Sequence, residues 1–290
     1  MKKLTFTFAV VLSAVTSLSA FAAGDKVIYG DDNRKNLYES TNAMELDLAE
    51  STAALISSSD LRAETDGFRI PSTTFGESFG MCASERFTNE PNPANCSGTL
   101  VGEDLFLTAG HCIQDMSDCR EYKMVFGFNI KQAGQIPSKL AANDVVGCKE
   151  IVARQLNGNG ADYAVIRLDR KITHRKPLAI NRTNDLKAGD FVTVIGHPSG
   201  LPTKITDKGK VRDVNRNGYF MANTDTYGGN SGSGVFNSLT GKLEGILVRG
   251  ENDYTSSGGC RISYRVGEDE GRGEDITKVS EAAAFIPELQ

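Results

Sequence analysis

Between residues 51 and 248 the chain rarely stays apolar for more than six or seven residues before Gly, Asn, Asp or Pro interrupts it. The runs are Ser51–Ile56, Ser97–Val101, Leu105–Thr108, Lys123–Ile130, Glu150–Leu156 and Tyr163–Leu168, then Phe191–Ile195, Lys204–Ile205, Lys210–Val214, Tyr219–Ala222, Gly234–Phe236 and Leu243–Val248. Runs this short cannot sustain helices, and many short strands separated by turn residues imply an all-β barrel or sandwich. Thr240-Gly241 marks a hairpin turn. With 290 residues there is length for one large domain or two small ones, each able to bury a core. Residues 57–95 are polar, carry Pro71, Pro91 and Pro93, and read as a long surface insertion. Residues 171–187 show little periodicity and suit a connection between two β units. Near the end the period changes. Ile276, Val279, Ala283 and Ile286 fall on one helical face, with Asp275 as N-cap and Pro287 near the stop, which predicts a C-terminal helix.

Residues 1–22 read as a secretory leader: Lys2 and Lys3, a short apolar stretch from Phe6 to Val15, then Ala20-Phe21-Ala22 at a small-x-small cleavage site. No later stretch is long and apolar enough to span a bilayer. The expectation is a soluble monomer, secreted to the periplasm or the exterior, with no membrane partner. Net charge is −5 and no basic stripe occurs, which argues against nucleic acid. Six cysteines in an exported chain favour disulfides, and the absence of C-x-x-C argues against a zinc knuckle. The acidic Gly267–Asp275 stretch reads as a solvated loop, and neither metal nor cofactor is expected.

The chemistry concentrates in Asp225-Thr226-Tyr227-Gly228-Gly229-Asn230-Ser231-Gly232-Ser233-Gly234. A glycine-dense turn lets backbone N–H groups converge on one point without interference from Cβ atoms. Beside a serine hydroxyl, such N–H groups suit a nucleophile with a hole for a developing oxyanion. A base is available in Thr108-Ala109-Gly110-His111-Cys112, and Asp162 opens the apolar run Tyr163–Ile166. A carboxylate entering a buried run needs a partner, and a histidine supplies one. Asp144 and Asp169 lie in polar surroundings and compete less well; His174 sits in a polar connection and His197 in a turn. The order His, Asp, Ser differs from that of subtilisins and α/β-hydrolases, and the G-x-S-x-G elbow fails because position 233 is Ser.

On these motifs the chain resembles chymotrypsin-fold serine endopeptidases, in the bacterial branch that includes staphylococcal glutamyl endopeptidase. The resemblance runs from about Val27 to the end. It implies two six-stranded antiparallel β-barrels, the first with the N-terminal segment in 27–170 and the second with the C-terminal helix in 171–290. It assigns Ser231 as nucleophile, His111 as general base and Asp162 as the group that orients it, with the oxyanion hole at the backbone N–H groups of Gly229 and Ser231. Asp25 to Arg34 is similar to the mature start of the staphylococcal enzyme, so residues 23–26 read either as a short propeptide ending at Lys26 or as a plain linker. Asn230 stands where animal zymogens carry Asp, as in the glutamyl branch. The family's disulfide beside the histidine falls on Cys96 and Cys112, which flank a strand–turn–strand. Cys82, Cys119, Cys148 and Cys260 then allow three pairings, of which Cys119–Cys148 with Cys82–Cys260 is favoured. The substrate-binding positions become Asp225, Thr226, Leu247 and Arg249. Asp225, six residues before the serine, would select Lys or Arg. Thr226 matches the glutamyl branch, but Leu247 replaces its histidine, and Arg249 would either neutralise Asp225 or attract an acidic side chain. The function implied is endopeptidase action on peptide or protein substrates. The alternatives are a catalytically silent binding protein of this fold, or an esterase using the same three residues.

Overall fold

The short apolar runs pair into two closed barrels. The structure is a computed structural model describing residues 27–250 and 253–289; the leader at 1–22 and the 23–26 segment lie outside the described residues. Val27–Tyr29 is strand β1. Six strands form the first barrel: Thr52–Ser57 (β2), Ala94–Leu100 (β3), Leu105–Thr108 (β4), Tyr122–Phe126 (β5), Val145–Leu156 (β6) and Asp162–Leu168 (β7). They close in the order β6–β7–β4–β3–β2–β5. The second barrel uses Phe191–Gly196 (β8), Lys204–Asp213 (β9), Tyr219–Asn223 (β10), Gly234–Asn237 (β11) and Leu243–Arg249 (β12). A hairpin follows, Tyr254–Ser257 (β13) and Cys260–Val266 (β14), and Glu274–Lys278 (β15) completes the barrel. Its order is β8–β11–β12–β15–β10–β9, and β9 pairs back on β8. Every pairing within the two barrels is antiparallel.

Each barrel fills its interior with side chains. In the first, Phe106 and Phe126 are fully buried and meet edge to face, with centroids 6.1 Å apart. In the second, Val192, Val194, Phe220, Val235, Leu247 and Ile276 form one cluster. Burying a side chain of this size stabilises by about 1.5–3 kcal/mol, so the inward-facing residues are what hold the closed sheets together. Three disulfides add cross-links: Cys96–Cys112, Cys119–Cys148 and Cys82–Cys260. The favoured pairing is the one observed.

Three features depart from the sequence reading. The C-terminal helix does not form: residues 274–278 are β15, followed by single 3₁₀ turns at Val279–Glu281 and Ala283–Phe285. Both neighbouring barrel strands pair with β15, as in Ala222 with Glu274 and Leu247 with Ile276, and closing the barrel outweighs the local helical spacing. The 57–95 insertion is not an open loop. It contains short strands at Arg62–Glu64 and Gly67–Arg69 and a helix at Phe75–Phe79 capped by Thr74, and it buries Phe75. The β13–β14 hairpin was absent from the sequence reading; β1 adds to it in parallel, Val27 opposite Tyr264.

Candidate active site

His111 follows β4, in the turn Ala109-Gly110. Its Nδ1 lies 2.7 Å from Asp162 Oδ2, and its backbone N–H donates to Asp162 Oδ1 at 3.1 Å. Both carboxylate oxygens are thus committed to one residue. Asp162 opens β7 and is buried, and its own N–H donates to Thr277 Oγ1 across the barrel seam at 3.0 Å. The histidine side chain keeps about a third of its surface exposed, 35%. With Nδ1–H given to the carboxylate, a neutral imidazole presents Nε2 as an acceptor. The other two histidines are placed differently. His197 is fully buried, gives Nδ1 to the Leu201 carbonyl and stacks on Phe128; burial pushes its pKa down to about 4. His174 is exposed and pairs with Asp144, while Asp169 pairs with Arg170.

Ser231 precedes β11 and lies against the histidine turn. Cys112 Sγ is 3.7 Å from its carbonyl oxygen, and that oxygen accepts the Ser97 N–H at 2.8 Å. A Cβ at Gly232 would stand 2.4 Å from Thr108 Oγ1 and 2.9 Å from Ala109 N, so only glycine permits this approach. The Ser231 hydroxyl makes no hydrogen bond among the described residues. The backbone N–H groups of Gly229 and Ser231 also have no acceptor among the described residues. The carbonyls behind them are taken: Gly228 C=O by Ser199 N–H at 2.5 Å, and Asn230 C=O by Ser233 N–H at 2.8 Å. In a planar trans peptide the N–H points opposite to the C=O, so both N–H groups face away from these bonds.

Residues 96–246, just over half of the chain, match the model of the trypsin-like peptidase domain. The chain belongs to this family. Among curated proteins it is 30% identical over 163 residues to exfoliative toxin A of Staphylococcus aureus, spanning 52% of this chain and 55% of the toxin. It is 23% identical over 176 residues to the uncharacterized protein y4fB of Sinorhizobium fredii (strain NBRC 101917 / NGR234), spanning 51% of this chain and 25% of that protein. The chain therefore spans about half, or less, of the length of these curated relatives. Among solved structures it is similar to a Glu endopeptidase in complex with MPD, at TM-score 0.54 and 18% identity, covering 90% of this chain and 97% of that one. It is also similar to the VesB protease of Vibrio cholerae, at TM-score 0.50 and 17% identity, covering 88% and 66%. These two share the two-barrel fold.

In this trypsin-like domain Asp225 is buried and occupied. Its Oδ1 accepts the Tyr29 N–H at 2.8 Å and its Oδ2 the Asn33 N–H at 3.0 Å, so it tethers the N-terminal segment. Burial pushes its pKa up to about 6, against the pull of those donors. Thr226 is also buried and donates to Glu274 Oε2 at 3.0 Å. Arg249 is engaged elsewhere than at Asp225: it pairs with Asp275 at 3.2 Å and donates to the Gly160 carbonyl. Leu247 packs its side chain in the barrel core. Asn230 accepts from Ser233 Oγ and makes no ion pair.

Two contributors escaped the sequence reading. Ser97 on β3 bridges the barrels: its N–H donates to Ser231 C=O, its Oγ donates to Gly229 C=O at 2.8 Å, and that Oγ accepts the His197 N–H. Glu274 on β15 places a fully buried carboxylate beside Thr226. Neither sits in a local motif, since each acquires its role from a contact distant in sequence.

Proposed function

We propose that this chain is a secreted serine endopeptidase working through an acyl-enzyme. The observation that carries the reading is the engagement of both Asp162 oxygens by His111, next to a serine whose own N–H and that of Gly229 have no acceptor among the described residues. Ser231 Oγ attacks the scissile carbonyl while His111 Nε2 removes its proton, and Asp162 stabilises the imidazolium. The oxyanion accepts from the N–H groups of Gly229 and Ser231. The C–N bond then breaks, and His111 returns the proton to the leaving amine. Water, deprotonated by the same imidazole, releases the acid and restores the serine. Ordinary mutual positioning of these groups needs no second subunit, and a monomer suffices.

The same reading extends to specificity and compartment. Asp225 is taken by the Tyr29 and Asn33 N–H groups, Glu274 places a buried carboxylate beside Thr226, and Arg249 is held by Asp275. With Asp225 already filled, the preference we assign, cleavage after Lys or Arg, rests on Glu274, whose buried carboxylate favours a cationic side chain over an acidic one. Three disulfides with no free cysteine among the described residues suit an oxidising compartment, as does the leader-like start. A peptide-library cleavage profile of the mature protein tests the proposal, with Ser231→Ala as control. Cleavage after Lys or Arg that vanishes in the variant is expected. Peptide hydrolysis that persists in Ser231→Ala would overturn the mechanism.

A further inference from the structure

Four residues other than glycine hold a positive φ among the described residues: Phe87, Asn184, Ser199 and Lys208. Ser199 is the member of this set that bonds to the loop carrying Ser231. It sits at φ 53 and ψ 24, between Pro198 and Gly200 in the turn after β8. L-residues avoid this region because Cβ crowds the following carbonyl, and a structure keeps one there only when its surroundings enforce it. Here every polar group of the residue is used. Its N–H donates to Gly228 C=O at 2.5 Å, its C=O accepts from Asn92 Nδ2 at 3.2 Å, and its Oγ is hydrogen-bonded to the Tyr254 hydroxyl. The turn is closed by Gly200 N–H to His197 C=O at 3.1 Å and Leu201 N–H to Pro198 C=O at 3.0 Å.

The bond from Ser199 to Gly228 decides which way the 228–229 peptide faces. With its carbonyl drawn into the turn, the Gly229 N–H points out of it. Gly229 itself, at φ +89, lies so close to the turn that a Cβ there would be 2.6 Å from His197 O and 2.8 Å from Gly200 N. Turned over, the same peptide would offer a carbonyl oxygen where a developing oxyanion needs a donor. We propose that the Pro198–Gly200 turn is the latch that holds the oxyanion hole open, with Ser199 as its positioning residue acting through its left-handed backbone. The proposal rests on the reading of Gly229 and Ser231 as the hole. It also links the hole to the β13–β14 hairpin: Tyr254 on β13 holds Ser199, while β14 carries β1 and the Cys82–Cys260 bridge.

The test compares substitutions that keep the backbone N–H but differ in their tolerance of this conformation. Ser199→Gly and Ser199→Asn accept a positive φ; Ser199→Val and the milder Ser199→Thr are β-branched and resist it. For each full-length protein, kcat and KM on a peptide substrate are measured with a thermal melt. Binding of a peptide aldehyde, whose adduct places an oxygen in the hole, is compared with that of the matching peptide alcohol. Ser199→Gly and Ser199→Asn should keep kcat within about threefold. Ser199→Val should lose kcat by about 100-fold, the scale of removing one oxyanion donor, with KM little changed. Its aldehyde affinity should fall by a similar factor while alcohol affinity holds. If the valine variant fails to fold, Ser199→Thr should show the same selective loss at about tenfold. The latch is overturned if the β-branched variants keep full kcat, if the glycine and asparagine variants lose as much, or if aldehyde and alcohol binding fall together. Wild-type protein that binds the aldehyde no tighter than the alcohol would instead overturn the active-site reading, and the latch with it.

Discussion

His197 and Asp225 are buried groups whose titrations oppose each other in one pH window. His197 is held near pKa 4 by burial, below its ordinary 6.5, so the unfolded chain takes up the proton first. Its contribution is complete above about pH 6.5 and is lost as pH falls through 4. Asp225 is raised by burial from 3.8 to about 6, so the folded state keeps the proton longer. Its contribution is complete below about pH 4 and is lost as pH rises through 6. Each displacement corresponds to roughly 3 kcal/mol, and the two largely offset. Denaturant unfolding between pH 4 and 6.5 should therefore show Asp225→Asn losing stability on acidification and His197→Gln losing it on alkalinisation, with wild type flatter than either. Two variants that track wild type across that range would show that neither group is linked to folding. Specificity belongs to this scale as well. Glu274→Gln keeps an acceptor for Thr226 but removes a charge, and should lower kcat/KM for Arg substrates about tenfold or more. An unchanged Arg preference, measured beside unchanged reaction with an active-site phosphonate, would remove Glu274 from the pocket.

The elements show where sequence patterns carry information and where they fail. The barrel strands were legible because each is an apolar run cut off by turn residues. The His111–Asp162 pairing was legible because His111 sits in a short turn motif and Asp162 is a carboxylate entering an apolar run, which needs a partner. Ile276, Val279, Ala283 and Ile286 have helical spacing, but the first belongs to a strand that two neighbours pair with, Val279 and Ala283 to 3₁₀ turns, and Ile286 to the extended residue after them. The β13–β14 hairpin lacks a clean alternation because much of it is exposed, and its support comes from β1 and Cys82–Cys260. Ser97, Ser199 and Glu274 were invisible for a related reason: their partners Gly229, Gly228 and Thr226 are dozens to more than a hundred residues away for the first two and 48 for the last. The element most directly tied to the site is the β3–β4 pair, clamped by Cys96–Cys112 at a sequence separation of 16. Replacing both cysteines with Ala should cost about 3 kcal/mol in denaturant unfolding. A loss under about 0.5 kcal/mol would mean that the strand pairing holds the histidine turn unaided.

At the scale of the molecule, neither barrel holds the proposed site by itself. The first supplies His111 and Asp162, and the second supplies Ser231 and the N–H groups of Gly229 and Ser231. Contacts across the seam fix their relation: Ser97 to Ser231 and Gly229, Asp162 to Thr277, and Gly232 against Thr108. The proposed reaction needs the two sheets docked, and one buried apolar cluster that includes Phe106 of the first and Phe236 of the second holds them so. The central claim is that Ser231 is a nucleophile activated by His111. Covalent labelling with a fluorophosphonate, mapped by peptide mass, measures this directly. The account predicts one adduct, on the peptide containing Ser231, absent in Ser231→Ala and formed at least about 10³-fold more slowly in His111→Ala, with both variants melting as wild type. An adduct elsewhere, or equal labelling rates in wild type and His111→Ala, would contradict it.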